Sequence, residues 1–276
     1  MKVRCSPRNR LLVAKEVIVP SSSQAWRSFG DTAEAYELGR PGWPVEVTTV
    51  GDVSESATVL DLAAGTGKLT RLLVTRFARV IAVEPLDPMR AILERLVREA
   101  ESLAGSAEAI PLPEASVSAV YVAEAFHWFG GDPAAVAEIE RVLAPGGVLA
   151  VMWNERAGPS EPPLPDAYRE RINRGLAHGS WPYANERWRQ AVEAGAFGPI
   201  HEESFLHEQV VDRDTILAGA ASSSVIASLA DEERARARRA LGDASGGDVA
   251  PKATCRRVLD SALVNASPTT AALRSS

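Results

Sequence analysis

Cysteine is scarce: Cys5 and Cys255 are the two in 276 residues, and they sit near opposite ends with neither metal-ligand nor redox spacing. The four histidines, at 127, 178, 201 and 207, complete no ligand pattern with them, so no metal site is expected. Positive charge is outweighed. Thirty Lys and Arg face 36 Asp and Glu, and a formal net charge of −6 opposes non-specific binding to nucleic acid or an anionic membrane. Long apolar runs are missing as well. Leu11–Ala14 follow Lys2, Arg4, Arg8 and Arg10, but Lys15 and Glu16 interrupt them before a signal core is reached, and no later run is long enough to span a bilayer. Cytoplasmic is the default location. What remains is an ordinary globular composition, 46% apolar and 24% charged, long enough for one sizeable domain or one domain with an appendage.

The most informative stretch runs from Ala57 to Thr70. Val59, Leu60 and Leu62 read as a buried strand with Asp61 near its carboxyl end, and Lys68 to Arg76 read as a helix. Between them Gly65 and Gly67 can take positive φ and leave backbone bare for a ligand. A triphosphate-binding loop needs Gly-x-x-x-x-Gly-Lys-Ser/Thr, but Leu62 replaces its first glycine and Leu69 follows Lys68. A dinucleotide fingerprint needs a third glycine where Thr70 stands. Arg79–Glu84 read as a second strand, closed by Glu84 about 20 residues past the turn, the spacing at which an acid meets ribose hydroxyls.

The same rhythm continues. Asp87-Pro88 open a helix whose Met89, Ile92, Leu93, Leu96 and Val97 form one face. Ser116–Ala123 read as the fourth strand, and Asp132-Pro133 open a helix stopped by Pro145-Gly146-Gly147. Val148–Asn154 are the fifth strand, apolar until its end. Strands alternating with helices predict a parallel sheet covered on both faces. A short helix over Asp31–Leu38 ends in the stiff Arg40-Pro41-Gly42-Trp43-Pro44 turn. Later, Ser204–Val211 read as a sixth strand, and Thr215–Leu229 and Asp231–Leu241 as helices. Trp181, Tyr183 and Trp188 either line a pocket or fasten to the core. The Arg234, Arg236, Arg238, Arg239 run reads as a solvated face. Pro251–Leu259 lack the alternation of a strand, which leaves residues 246–276 open between helix, disorder and an unusual reading frame at this end, and an imperfect sheet edge would follow.

Leu60-Asp61-Leu62-Ala63-Ala64-Gly65-Thr66-Gly67 resembles the first motif of the class I S-adenosylmethionine-dependent methyltransferases. Phe29-x-x-x-Ala33-x-x-Tyr36, Arg40-Pro41-Gly42-Trp43-Pro44, Ala125-Phe126-His127-Trp128-Phe129 and Leu143-x-Pro145-Gly146-Gly147 resemble a small-molecule subgroup that includes trans-aconitate methyltransferase-like proteins (the methyltransferase type 11 domain). Trp43 stands where that subgroup more often has tyrosine.

The resemblance implies a Rossmann-like, doubly wound α/β sheet of about seven strands, mostly parallel, with helices on both faces and an added helical lid. It implies S-adenosyl-L-methionine as cofactor, S-adenosyl-L-homocysteine as product, and a small-molecule acceptor attacked by in-line displacement. Cofactor contacts carried over are Asp61, Ala63, Gly65, Thr66, Gly67, Glu84, Pro85, Met89, Ser106, Ala107, Glu108 and Glu124. Substrate-side positions are Tyr36, Arg40, His127 and Trp128, with His127 also the candidate catalytic base. For Tyr36 and Arg40 plain packing is an equal reading, and for Met89 core packing is the larger one.

The expected organisation is a flexible extension over 1–25, a methyltransferase domain over 26–245 and an atypical tail over 246–276. Within the domain, 45–154 form the cofactor half, and 26–44 and 155–245 the acceptor side and lid. A monomer or homodimer is expected, with no nucleic-acid or membrane partner. Three other readings stay open: cofactor binding without turnover, a nicotinamide-dependent oxidoreductase, and a nucleic-acid or protein methyltransferase, which lacks a basic patch and a base-methylating motif.

Overall fold

The computed structural model describes residues 26–129, 132–156, 187–227, 231–244 and 253–265. Seven strands, β1 (Thr58–Leu62), β2 (Arg79–Val83), β3 (Glu101–Leu103), β4 (Val117–Ala123), β5 (Leu143–Arg156), β6 (His201–Val211) and β7 (Ala253–Asn265), form one sheet. Their order across it is β3-β2-β1-β4-β5-β7-β6. The first five pair in parallel, with Leu60 beside Ile81 on one side and Val120 on the other, while β7 lies antiparallel between β5 and β6. The chain moves outward from β1 through β2 to β3, then returns to place β4 on the other side of β1. That reversal opens a crevice at the carboxyl ends of β1 and β4, where open α/β sheets hold ligands.

Nine helices flank the sheet among the described residues: α1 (Ala33–Gly39), α2 (Thr70–Arg76), α3 (Asp87–Leu96), α4 (Phe126–Phe129), α5 (Pro133–Val142), α6 (Arg187–Ala194), α7 (Arg213–Ala221), α8 (Ser224–Ala227) and α9 (Asp231–Ala244). The central strands bury both faces, which is why their sequences are apolar almost throughout. Leu60, Leu62, Val120, Val122, Leu149 and Val151 face a core shared with Phe126, Ile139 and Trp188. Val59, Ala119, Tyr121, Ala150 and Met152 face the opposite core, with Leu69, Leu73, Trp43 and Val47. Leu60 and Leu149 have no exposed surface, and truncating either to alanine costs about 2–5 kcal/mol.

Several expectations are corrected. Residues 253–265 form a full strand, paired with β5 from Val148↔Asn265 to Arg156↔Arg257 and with β6 from His201↔Leu263 to Val211↔Ala253. A strand held on both edges draws its stability from two hydrogen-bonded ladders, so it needs less of the side-chain alternation that marks a half-exposed strand. Strand β3 had no sequence signal; three residues are too short to show a period. Pro145-Gly146-Gly147 lie inside β5 because α5 already stops at Val142, and a Cβ at Gly147 would stand 2.9 Å from Ala144 O and 3.0 Å from Ser118 O. In the helix opened by Asp87-Pro88 it is Leu86 that occupies the N-cap position, with no side-chain capping bond, whereas Asp132 caps α5 as expected, accepting from Ala134 N. The helix expected over Thr215–Leu229 is split into α7 and α8, because the hydroxyls of Ser222 and Ser223 bond back to Gly219 O and Ala220 O. A loop over the acceptor pocket is expected from the proline-rich, polar residues 155–166, but residues 155 and 156 end β5 instead, and 157–166, with residues 1–25, Trp181 and Tyr183, lie outside the described residues.

The short helix expected over Asp31–Leu38 is a 3-10 segment, Trp26–Thr32, followed by α1. Helix α1 meets α7 backbone to backbone: a Cβ on Gly39 would overlap Gly219 N, and one on Gly219 would stand 2.7 Å from Gly39 O. Arg40 then reaches past the junction to donate to Ser222 O at 2.9 Å. Overpacking of this kind costs about 1–3 kcal/mol. Gly39→Ala is therefore expected to lower the melting temperature by several degrees, measured by thermal denaturation, whereas alanine at Gly42, where an added Cβ meets nothing within 4 Å, leaves it nearly unchanged.

Candidate functional site

Beyond Leu62 the chain reverses in left-handed backbone, with φ +58° at Ala63, +58° at Gly65 and +81° at Gly67. Ala63 has a Cβ, and holding a non-glycine residue there costs about 1–3 kcal/mol. The turn is tied to the neighbouring strand by Ala64 N donating to Val83 O (3.1 Å) and closed by Gly67 N donating to Ala64 O (3.0 Å). At Gly67 a Cβ would lie 3.1 Å from both Leu93 and Val97, so bare backbone is what lets the turn sit against α3. At Gly65 the nearest atom to an added Cβ is Tyr36 Cε1, 4.0 Å away.

Three acids stand at this edge. Asp61 is 1% exposed and accepts from the Thr70 hydroxyl at 2.6 Å. Burial, opposed by that bond and reinforced by Glu84, lifts its pKa to about 7. Glu84, 4% exposed, accepts from Gly65 N and Leu86 N, each at 2.9 Å and each on a different oxygen. Burial raises its pKa too, against those two bonds and the Arg90 charge. Glu124, at φ +57°, accepts from Asn154 N at 2.7 Å and donates its own backbone N–H to Met152 O at 2.9 Å, joining the ends of β4 and β5.

The lid supplies the other wall. Tyr36 packs edge-on to Phe29 (5.8 Å), Phe29 to Trp128 (6.0 Å), and the Arg40 guanidinium stands 5.3 Å from the Tyr36 ring. Burial pushes the Tyr36 hydroxyl to about 12. The His127 ring lies tilted against Trp128, centroids 4.6 Å apart; burial first, then the Arg40 charge, pushes its pKa down to about 3. The cations of the glycine turn are turned away from the acids. Lys68 Nζ donates to Glu37 O at 2.7 Å and Arg71 to the Glu37 carboxylate at 2.7 Å, fastening α1 to the turn.

The remaining candidates are placed as follows. Met89 is 2% exposed in a cluster with Ala33, Ile92, Phe29 and Tyr36, a packing position under the lid. Pro85 is half-buried between Glu84 and Leu86. Half-buried Ser106, buried Ala107 and exposed Glu108 form a turn after β3, closed by Ala109 N donating to Ser106 O at 3.2 Å. Trp188 packs on Trp153 (5.0 Å) and Phe126 (6.5 Å), which fastens α6 to the core. Glu37 and Thr70 were missed as contributors to this edge. Glu37 gave no signal because its partners lie 31 and 34 residues away, and Thr70 registered only as a missing glycine.

The donor set decides what fits. With Lys68 and Arg71 engaged by Glu37, and Arg71 also by Thr66 O, the turn offers acids and backbone free of side chains, which suits a ligand carrying hydroxyls and positive charge and opposes a pyrophosphate. Each Glu84 oxygen accepts one recorded bond and keeps capacity for a ribose hydroxyl. Thr66 Oγ1 is shut off from solvent with no partner, an orphaned hydroxyl inside the turn. The residues present therefore fit S-adenosylmethionine, a cation with two ribose hydroxyls, better than a dinucleotide or a triphosphate.

Residues 60–151 match the family model described as "Methyltransferase domain". The chain is 48% identical over 130 residues to "Uncharacterized methyltransferase Rv3342" of Mycobacterium tuberculosis, covering 47% of this chain and 53% of that protein, so it spans about half of that relative. It is 29% identical over 225 residues to "Uncharacterized methyltransferase-like C25B8.10" of Schizosaccharomyces pombe, covering 79% and 85%. Among solved structures, a protein from Anaeromyxobacter dehalogenans designated a type II methyltransferase superposes with a TM-score of 0.53 at 26% identity, covering 83% of this chain and 98% of that one. No helix among the described residues is long and apolar enough to cross a membrane.

Asp61 and His127 make opposite contributions to stability against pH. Asp61, raised from 3.8 to about 7, holds its proton more tightly when folded; its contribution is full below its unfolded pKa and is lost as pH rises through about 7. His127, lowered from 6.5 to about 3, holds its proton less tightly when folded; its contribution is full above 6.5 and is lost as pH falls through about 3. Asp61→Asn removes the first slope, so its denaturation midpoint is expected to climb more steeply than that of the wild type between about pH 4.5 and 6.5. His127→Gln is expected to do the reverse in the same urea titrations.

Proposed function

We propose that this chain, whose residues 60–151 carry a methyltransferase domain, is an S-adenosylmethionine-dependent methyltransferase acting on a small-molecule acceptor. The observation that carries the reading is the glycine turn with Asp61 and Glu84 buried beside it and its cations diverted to Glu37. S-adenosylmethionine supplies a methyl group already activated on a sulfonium. Glu84 holds the ribose hydroxyls, and Asp61 and Thr66 line the turn beneath the methionine part. Ser106, Ala107 and Glu108 meet the base. Tyr36, Arg40, His127 and Trp128 wall the acceptor side and keep water out. Holding two reactants in line in this way is worth about 7–11 kcal/mol of barrier, most of what such a reaction asks of a protein.

His127 is read as an orienting group. A histidine pushed to about 3 is neutral at working pH and binds a proton too weakly to serve as an efficient base. Acceptors that arrive already nucleophilic, such as a carboxylate or an activated carbon, therefore suit the site better than a phenol or protonated amine. A damaged sheet edge would favour binding without turnover, and β7, paired with β5, speaks against such damage. The oxidoreductase reading is weakened by Thr70, whose hydroxyl serves Asp61 at the position where the dinucleotide fingerprint has glycine.

The test is a thermal shift with S-adenosylhomocysteine, with NADH and ATP as controls. At a hundredfold excess over Kd a ligand adds about 2.7 kcal/mol, enough to raise the melting temperature by several degrees. The expected outcome is a rise with S-adenosylhomocysteine alone, lost in Glu84→Gln. A rise with NADH alone, or none at all in the folded protein, overturns the reading. His127→Ala is expected to keep most of its turnover; a loss of about 100-fold or more restores the base role.

A further inference from the structure

Asn154 lies in β5 two residues past Met152, the last β5 residue paired with β4. Its backbone N–H donates to Glu124 Oε1 at 2.7 Å, and the residue stands opposite Leu259 in the β5–β7 ladder. Its side chain is not used at all. Both the Oδ1 and Nδ2 atoms are shut off from solvent without a hydrogen-bond partner. An amide offers two donors and an acceptor with two lone pairs, and burying it unpaired is costly enough that such groups call for an explanation. The fold has no evident need of it, because Trp153 and Met152 already fill the cores on the two faces of the strand.

Its position points to the cleft. Alternation puts Asn154 on the face of Met152, the face covered by Trp43 of the Arg40–Pro44 turn. Through Glu124 it adjoins Tyr36, whose hydroxyl feels the Glu124 charge and whose ring faces Gly65. Two more buried polar atoms on neighbouring elements also have no partner, Arg40 Nε on the lid and His127 Nδ1 on α4. Unpaired hydrogen-bonding groups from lid, α4 and β5 thus gather at one end of the sheet.

We infer that Asn154 is a specificity-determining residue that hydrogen-bonds the acceptor through its side-chain amide, and that the acceptor presents a group able both to donate and to accept, such as a hydroxyl, a carboxamide or an amine beside a carbonyl. The inference rests on the methyl-transfer reading above and extends it to the acceptor's chemistry. A buried amide discriminates strongly, because a molecule lacking the matching group leaves it unpaired, whereas an apolar pocket separates such molecules weakly.

The experiment compares full-length wild type, Asn154→Leu and Asn154→Asp by three readouts: melting temperature, thermal shift with S-adenosylhomocysteine, and methyl transfer from labelled S-adenosylmethionine to the small-molecule fraction of a cell extract, followed by kinetics on the fraction that accepts label. Asn154→Leu is expected to melt no lower than the wild type and to keep its S-adenosylhomocysteine shift. Its KM for the labelled acceptor is expected to rise about tenfold or more, with a smaller change in kcat. Asn154→Asp, which keeps the acceptor atoms and loses the donors, is expected to fall between the two. A KM for Asn154→Leu equal to the wild type, or a melting point several degrees below it, overturns the inference and makes the amide structural. A wild-type protein that binds S-adenosylhomocysteine and labels nothing overturns the functional reading, and this inference falls with it.

Discussion

One carboxylate organises the carboxyl edge of the sheet. Glu84 bonds Gly65 N with one oxygen and Leu86 N with the other, bridging the reversal after β1 and the entry to α3. The reversal needs such a brace, because it places Ala63, a residue with a Cβ, in left-handed backbone between two strands that are otherwise fully paired. It is also held from behind, where Gly67 is pressed against Leu93 and Val97. A buried acid that holds two amides keeps capacity for further donors, so the group that braces the turn is also the one best placed to receive ribose hydroxyls.

Charge placement follows from that arrangement. Acids at the ends of β1, β2 and β4 would ordinarily be balanced by the lysine and arginine a few residues along the chain. Instead Lys68 and Arg71 are drawn off by Glu37, whose helix is anchored at the same carboxyl end by the Gly39–Gly219 contact and by Arg40 on Ser222 O. The lid is thus part of the electrostatics of the crevice as well as its cover. It leaves Asp61 without the cations of the glycine turn and Glu84 with the Arg90 charge beside it, and burial raises the pKa of both. A cationic ligand restores the balance that the lid withdraws.

The parts that were legible in the sequence are those whose cause is local. The strand–turn–helix at Ala57–Arg76 shows itself because a buried strand must be apolar and a reversal must have glycine, and Asp132 announces α5 because its side chain caps its own helix. What was not legible depends on partners far away along the chain. Strand β7 has no period of its own because two neighbouring ladders hold it, and β3 is three residues long. The break between α7 and α8 turns on two serine hydroxyls that a helix-period count treats as neutral. At the site, Glu84 was found by its distance from the turn. Glu37 was invisible, since its role comes from a lid folded back across more than thirty residues. Asn154 left a faint mark, as the polar end of an otherwise apolar strand.

The place of β7 also bears on the order in which the molecule is assembled. Among the described strands β6 pairs with β7 alone, so a chain emerging from the ribosome makes β1, adds β2 to β5, each beside a partner already made, and then extends β6 with nothing to hold it. The edge of β5 stays open for the same interval, because the strand that covers it is the last of the seven to be synthesised. Nascent chains therefore pass through a stage with two unsatisfied edges, each able to pair with another nascent chain. Closure then requires an insertion between strands already in place, a slow non-local step, and makes vectorial synthesis the period of greatest exposure to aggregation for this fold.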